Sequence, residues 1–206
     1  MKIWDLPTRL YHWLQAALVI ALITTGYQGV GVHVALGLGL VTLLFWRIIW
    51  GVVGSDTSRF SKFIHSPKQV ISYLGGEHIE KPGHNPAGGW MVILMLAILM
   101  LQCMSGLVVA GLVEKLPFSG IGLTDSVVKE ITGVHTSLAL LLPVVIGLHL
   151  LAIIIYKFRS KPLVWAMVVG VQNRVEDAVL GFESNKRAGI VFIASVLVTI
   201  AIVALS

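Results

Sequence analysis

Along this chain apolar residues run in five long blocks, 10–30, 33–53, 89–112, 133–156 and 188–205, separated by stretches where polar and charged positions gather. An α-helix rises 1.5 Å per residue and the hydrocarbon core of a bilayer is about 30 Å thick, so roughly 20 apolar residues make one crossing. The pattern therefore predicts an all-α integral membrane protein with five transmembrane helices in a single membrane domain, 1–206. Gly26, Gly29 and Gly31 bracket the join between the first two blocks, which makes those helices antiparallel neighbours. The segment 55–88 mixes Phe60, Phe63, Ile64 and Ile71 with Arg59, Lys62 and Lys68, the composition of an amphipathic stretch at a membrane surface. A second interfacial segment, 157–187, contains an apolar run at 162–170 that is too short to cross. The connection 113–132 holds Pro117, Gly120 and Gly122 and is too small for a catalytic domain. The first helix is expected to stay in the protein: Trp4, Asp5 and Pro7 precede it and no small-residue cleavage site follows it.

Composition agrees with that pattern. The 206 residues are 56% hydrophobic and 12% charged, with a mean hydropathy of +0.89. A net charge of +5 raises the question of nucleic acid, and the placement of the cations answers it. With alternating crossings, Lys2, Arg9, Arg47, Arg59, Lys62, Lys68, Lys81, Lys157, Arg159, Lys161, Arg174, Lys186 and Arg187 share one side, and only Lys115 and Lys129 the other. Cytoplasmic loops carry the excess of Lys and Arg, so the expected topology has a cytoplasmic N-terminus and a periplasmic C-terminus in the inner membrane. The charge thus reads as membrane topology, with lipid and no nucleic acid as partner. The six tryptophans, Trp4, Trp13, Trp46, Trp50, Trp90 and Trp165, fall near the cytoplasmic boundary, where an interfacial aromatic belt is expected. Cys103 is the lone thiol, which excludes thiolate clusters and internal disulfides.

Histidines supply the candidate chemistry, because ionisable groups inside spans are costly and mark function. His135 and His149 lie fourteen residues apart on the fourth block. At 100° and 1.5 Å per residue they fall within roughly 40° of one face and about 21 Å apart in depth. His12 lies in the first span at the level of His149, and His33 opens the second at the level of His135. Each pair, His12 with His149 on the cytoplasmic side and His33 with His135 on the outer side, can offer two imidazoles along one axis. Six-coordinate b-type haem between bundle helices needs that arrangement. Zinc prefers four close ligands, and non-haem iron takes carboxylates, which none of the five blocks contains.

Other residues carry two readings each. Arg47 follows His33 by fourteen residues, which puts it at the depth of the cytoplasmic pair, either facing a haem propionate or snorkelling to the interface. Arg9, one turn before His12, has the same two readings. Gly37, Gly39, Gly106 and Gly147 either admit a flat macrocycle or let helices pack closely. Pro143 is expected to bend the fourth span. His65, His78 and His84 fall in the polar loop and read as solvated. The fifth span has neither charge nor histidine, so it reads as a peripheral helix or a contact for a partner subunit.

The runs Trp4-Asp5-Leu6-Pro7-Thr8-Arg9-Leu10-Tyr11-His12-Trp13, Phe45-Trp46-Arg47-Ile48-Ile49-Trp50-Gly51-Val52-Val53-Gly54, Ser58-Arg59-Phe60, Gly83-His84-Asn85-Pro86 and Ala166-Met167-Val168-Val169-Gly170 resemble the bacterial cytochrome b561 family, which also includes b-type cytochrome subunits of nickel–iron hydrogenases. The resemblance covers residues 4 to about 174 in order. It implies a four-helix transmembrane bundle holding two b haems by bis-histidine ligation, with His12, His33, His135 and His149 on the ligand positions and a fifth C-terminal helix added. It further implies electron transfer between the quinone pool and a redox partner, a c-type cytochrome or an oxidoreductase subunit. The short first connection and the fifth span depart from the family pattern and leave the partner open, a homo-oligomer included. Two other readings stand beside it: a stand-alone quinone-coupled oxidoreductase such as a superoxide oxidase, and a haem-free proton or metal transporter.

Overall fold

The computed structural model describes residues 1–26, 30–76, 82–113, 123–159, 162–172 and 179–206. His78, Lys81, Lys115, Lys161, Arg174 and the turn glycines 29, 120 and 122 lie outside the described residues. The architecture is helical throughout: α1 Leu6–Thr25, α2 Val30–Val53, α3 Phe60–Phe63, α4 Pro67–Leu74, α5 Pro86–Val109, α6 Asp125–Phe158, α7 Leu163–Val169 and α8 Asn185–Ala204. Five of them, α1, α2, α5, α6 and α8, are long and apolar enough to cross a membrane.

Most of these helices begin earlier than their apolar blocks, because a helix starts at its cap and not at its first apolar residue. Asp5 accepts from the Thr8 N–H at 2.7 Å to open α1, Asn85 from the Gly88 N–H at 2.7 Å to open α5, and Ser184 from the Arg187 N–H at 3.2 Å to open α8. The difference is largest in α6. Thr124 caps it, accepting from the Val127 N–H at 3.4 Å, so Asp125, Lys129 and Glu130 ride on a helix where the apolar pattern predicts a loop. At 34 residues, α6 is about 51 Å long and outreaches a bilayer of about 30 Å. Pro143 lies inside α6 without ending it.

α2 is the hub. It packs along α1, α5 and α8, while α6 packs chiefly along α5 and, among the described residues, makes no extended contact with α1 or α2. Leu40, Leu44, Ile98, Leu99, Leu142 and Val145 form the main buried cluster where α2, α5 and α6 converge. α8 lies against the side of α2 as a peripheral helix: Thr42 and Thr199 share a hydrogen bond of 2.8 Å, and the Trp46 indole donates to the Ala188 carbonyl at 3.1 Å.

The N-terminal end of the bundle is closed by a polar cap. The Ile3 N–H donates to the Gly170 carbonyl at 2.8 Å and the Gln172 N–H to the Met1 carbonyl at 2.9 Å, so the first residues pair with the chain just after α7. Gly170 allows this: its φ is +83°, and a Cβ there would lie 2.8 Å from the Trp4 carbonyl oxygen. Thr57 donates to the Ile3 carbonyl at 2.8 Å, and Thr8 meets Ser58 at 2.6 Å. Asp56 accepts from the Gly181 N–H at 2.7 Å and pairs with Arg59, which hold its carboxyl below the usual carboxylate range.

This cap corrects the uniform tryptophan belt. Trp13, Trp90 and Trp165 are exposed, but Trp4, Trp46 and Trp50 are core residues. Trp46 stacks between Tyr11 and Trp50, with centroids 5.3 and 5.4 Å away, and the Trp50 indole donates to Asp5 at 3.2 Å. An indole whose N–H finds a partner inside has no need of the interface. Asp5 thus both caps α1 and satisfies a fully buried indole. Asp5→Ala is expected to destabilise the detergent-solubilised protein by about 2 kcal/mol, through the lost cap and the orphaned Trp50 N–H. A melting curve unchanged from wild type would refute that double role.

Candidate functional site

The four span histidines come from three helices, His12 from α1, His33 from α2, and His135 and His149 from α6. His33, near the start of α2, and His135, three turns into α6, stand with ring centroids 6.3 Å apart and planes at 87°. His12 and His149, both half-buried, lie within electrostatic reach of each other nearer the other end. His33 and His135 are thus close neighbours, while His12 and His149 are related through that electrostatic influence alone. His135, however, does not open its helix, since Asp125 to Val134 precede it.

The surroundings of the two pairs differ. His135 is held by α5: its Nδ1 lies 3.1 Å from the Gln102 carbonyl and 3.0 Å from the Ser105 hydroxyl, and its Nε2 lies 3.2 Å from the Gln102 amide nitrogen. Gly106 faces the same ring so closely that a Cβ would sit 3.0 Å from His135 Cε1. His33 Nδ1 lies 3.4 Å from the Thr25 hydroxyl. His12 Nδ1, by contrast, is buried with no hydrogen-bond partner among the described residues.

The glycines divide between their two readings. Gly106 serves contact with a histidine and Gly39 meets Leu18, whereas a Cβ at Gly37 or Gly147 would touch nothing within 4 Å. Gly37 is one turn from His33 on the same face of α2, so the cleft stays open beside that histidine.

Arg47 is 3% exposed, which replaces the snorkelling reading with a buried cation. Its Nη1 donates to the Ser58 carbonyl at 3.1 Å, its guanidinium lies 5.0 Å from the Phe60 ring centroid, and Asp5 is close enough to act on it electrostatically. Arg9 turns to the end of α7, where its Nη1 donates to the Val168 carbonyl, and its Nε is buried without a partner.

Two loop histidines read as solvated from sequence are not. His65 is 8% exposed, with its Nδ1 2.8 Å from the Phe63 carbonyl. His84 packs against Trp4 at 4.8 Å and Phe63 at 4.5 Å, and its Nδ1 is buried without a partner although the residue as a whole is half-buried. Arg47 and His12 both act on it electrostatically, so His84 belongs to the same buried basic group. The available signal was its place in Gly83-His84-Asn85-Pro86, immediately before the cap of α5.

A multi-pass helical bundle with facing histidine pairs between its helices is the architecture of a membrane b-type cytochrome. The prokaryotic cytochrome b561 family model matches residues 3–170, and the chain belongs to that family. Its members bind haem b and work in electron transfer. No curated protein and no solved structure matches the chain.

The residues fit such a group. A ring nitrogen binds a metal ion at about 2.0–2.1 Å and the ring centre lies about 1 Å further back, so imidazoles on opposite sides of one ion have centres roughly 6 Å apart. The 6.3 Å between the His33 and His135 ring centres matches that spacing, and the Gln102 amide, 3.2 Å from His135 Nε2, would have to give way to the ion. At the other pair, His12 Nδ1 is buried without a hydrogen-bond partner among the described residues, and the buried Arg47 acts on the same neighbour, His84, as His12 does.

Burial, the positive charge of Arg47 and the nearby His12 push the His84 ring down to about 3, against a hydrogen bond with the Thr57 backbone that acts the other way. A folded-state value below the ordinary 6.5 means that the unfolded chain binds more protons between those limits. The neutral ring stabilises the fold fully above about pH 6.5, and that contribution is lost as pH falls toward 3. His84→Gln is expected to flatten the fall in melting temperature between pH 6.5 and 4. A slope identical to wild type would count against a buried neutral His84.

Proposed function

We propose that this chain holds two b haems, one between His33 and His135 and one between His12 and His149, and passes electrons between them across the inner membrane. The separation of 6.3 Å between the His33 and His135 rings carries this reading. When bound, each haem would be held by the two histidines of its pair and would supply an iron that changes oxidation state by one electron, the chemistry of an electron relay. His135 and His149 share the wall of α6 and keep the two sites about 21 Å apart in depth. Arg47 faces the cofactor of the His12–His149 pair, where its buried charge suits a propionate. Arg9, with Nη1 taken by Val168, retains only Nε for such a role.

The excess of Lys and Arg on one side supports a cytoplasmic N-terminus, with the His12–His149 site on that side and the His33–His135 site facing the periplasm. The redox substrate is quinone in the lipid phase, and the partner is a c-type cytochrome or an oxidoreductase subunit.

A pyridine haemochrome assay on the purified chain is expected to find about two b haems per polypeptide. His33→Ala or His135→Ala should remove the outer haem, and His12→Ala or His149→Ala the inner one, halving the haem content in each case. Both haems surviving any one of these substitutions would break the pairing. Arg47→Ala is expected to lower the potential of the inner haem, since a nearby positive charge favours the reduced state. An unmoved potential in a redox titration would remove Arg47 from that site.

A further inference from the structure

We infer that Ser105, with the backbone carbonyl of Gln102, is a positioning group for His135: it fixes the imidazole tautomer that puts the lone pair on Nε2, where iron would take the place of the Gln102 amide, and makes that nitrogen a stronger donor. The inference rests on the proposed ligand role of His135, but its argument comes from hydrogen-bond directions alone.

A carbonyl oxygen can only accept. The His135 Nδ1, 3.1 Å from the Gln102 carbonyl, is therefore the protonated nitrogen. The Ser105 hydroxyl points its single proton at the same carbonyl, 3.0 Å away, which leaves its oxygen lone pairs to accept from His135 Nδ1–H at 3.0 Å. With the proton on Nδ1, Nε2 carries the lone pair, and it accepts from the Gln102 amide N–H at 3.2 Å. Every polar contact of the ring agrees on one tautomer.

α5 carries none of the four histidines, yet three of its residues shape this one. Gly106 completes the seat, because any larger side chain would drive its Cβ into the ring edge. His33 shows the same logic in weaker form. The Thr25 hydroxyl donates to the Ala21 carbonyl at 2.8 Å, so toward His33 Nδ1, 3.4 Å away, it too is an acceptor. His12 has no such partner among the described residues. The two sites are thus built differently, the outer with oriented imidazoles and the inner without an acceptor on His12.

Acceptors on the distal N–H of a metal-bound histidine orient the ring and raise its basicity. A more basic axial ligand stabilises the oxidised iron, so the Ser105 hydroxyl holds the outer haem's potential down. Ser105→Ala removes one of the two acceptors. The expected result is full haem content with an upward shift in the midpoint potential of the outer haem alone, read by spectroelectrochemical titration, while Ser105→Thr, which keeps the hydroxyl, stays at the wild-type value.

Should Ser105→Ala fail to accumulate, Ser105→Cys replaces the hydroxyl with a weaker acceptor of similar shape and is expected to shift the same potential in the same direction. An outer haem whose potential does not move in either variant, or an inner haem that moves equally, overturns the positioning role. His135→Ala, measured alongside, separates the two levels of failure. If it removes one haem while the Ser105 variants leave the potential unmoved, only the positioning role falls. If it retains both haems, the ligand assignment falls and this inference with it.

Discussion

A polar group inside hydrocarbon must find its partner within the protein, since no water is there to take that place. That constraint organises this bundle more than helix packing does. α6 is exposed along most of its length and leans on α5, yet its two histidines are half-buried, and the His135 ring is seated against α5 beside His33. Where the protein itself can satisfy an imidazole, it does so, as Ser105 and Gln102 do for His135. At His12 it does not: the Nδ1 is buried with no hydrogen-bond partner among the described residues.

The same economy governs the N-terminal end of the bundle. Asp5 is at once a helix cap, the acceptor for the Trp50 indole and a charge within reach of Arg47. Through Arg47 the network extends to Ser58 and Phe60, and through Thr8 to Ser58 again. Loops that hydropathy alone would call surface segments are therefore part of the core that surrounds the His12 side of the bundle.

Five spans and four histidines were legible in the sequence because both depend on regularities of a single helix: length against bilayer thickness, and angle against residue number. The pairing of His33 with His135 followed from depth alone. Hydropathy could not locate the beginning of α6, because Asp125, Lys129 and Glu130 are polar and only Thr124 signals the start. Nor could it distinguish Trp46 and Trp50, whose indole N–H groups find acceptors inside, from Trp165, which is exposed. Hydropathy could not single out His84 or Ser105 for a related reason. Their significance lies in what another element brings to them, Trp4 and Phe63 in one case and His135 in the other, and no periodicity within one segment reports that.

α6 is a single hydrogen-bonded ladder from Asp125 to Phe158, and it carries one histidine of each pair. The distance between the pairs is accordingly a ruler cut into the backbone, indifferent to how loosely the helix sits against its neighbours. Pro143 lies midway between the two marks and lacks the N–H that would form its rung. The Ala139 carbonyl therefore has no N–H to receive at that rung, yet the helix runs on through it. The rise between His135 and His149 is therefore set by one backbone element and not by how the helices pack.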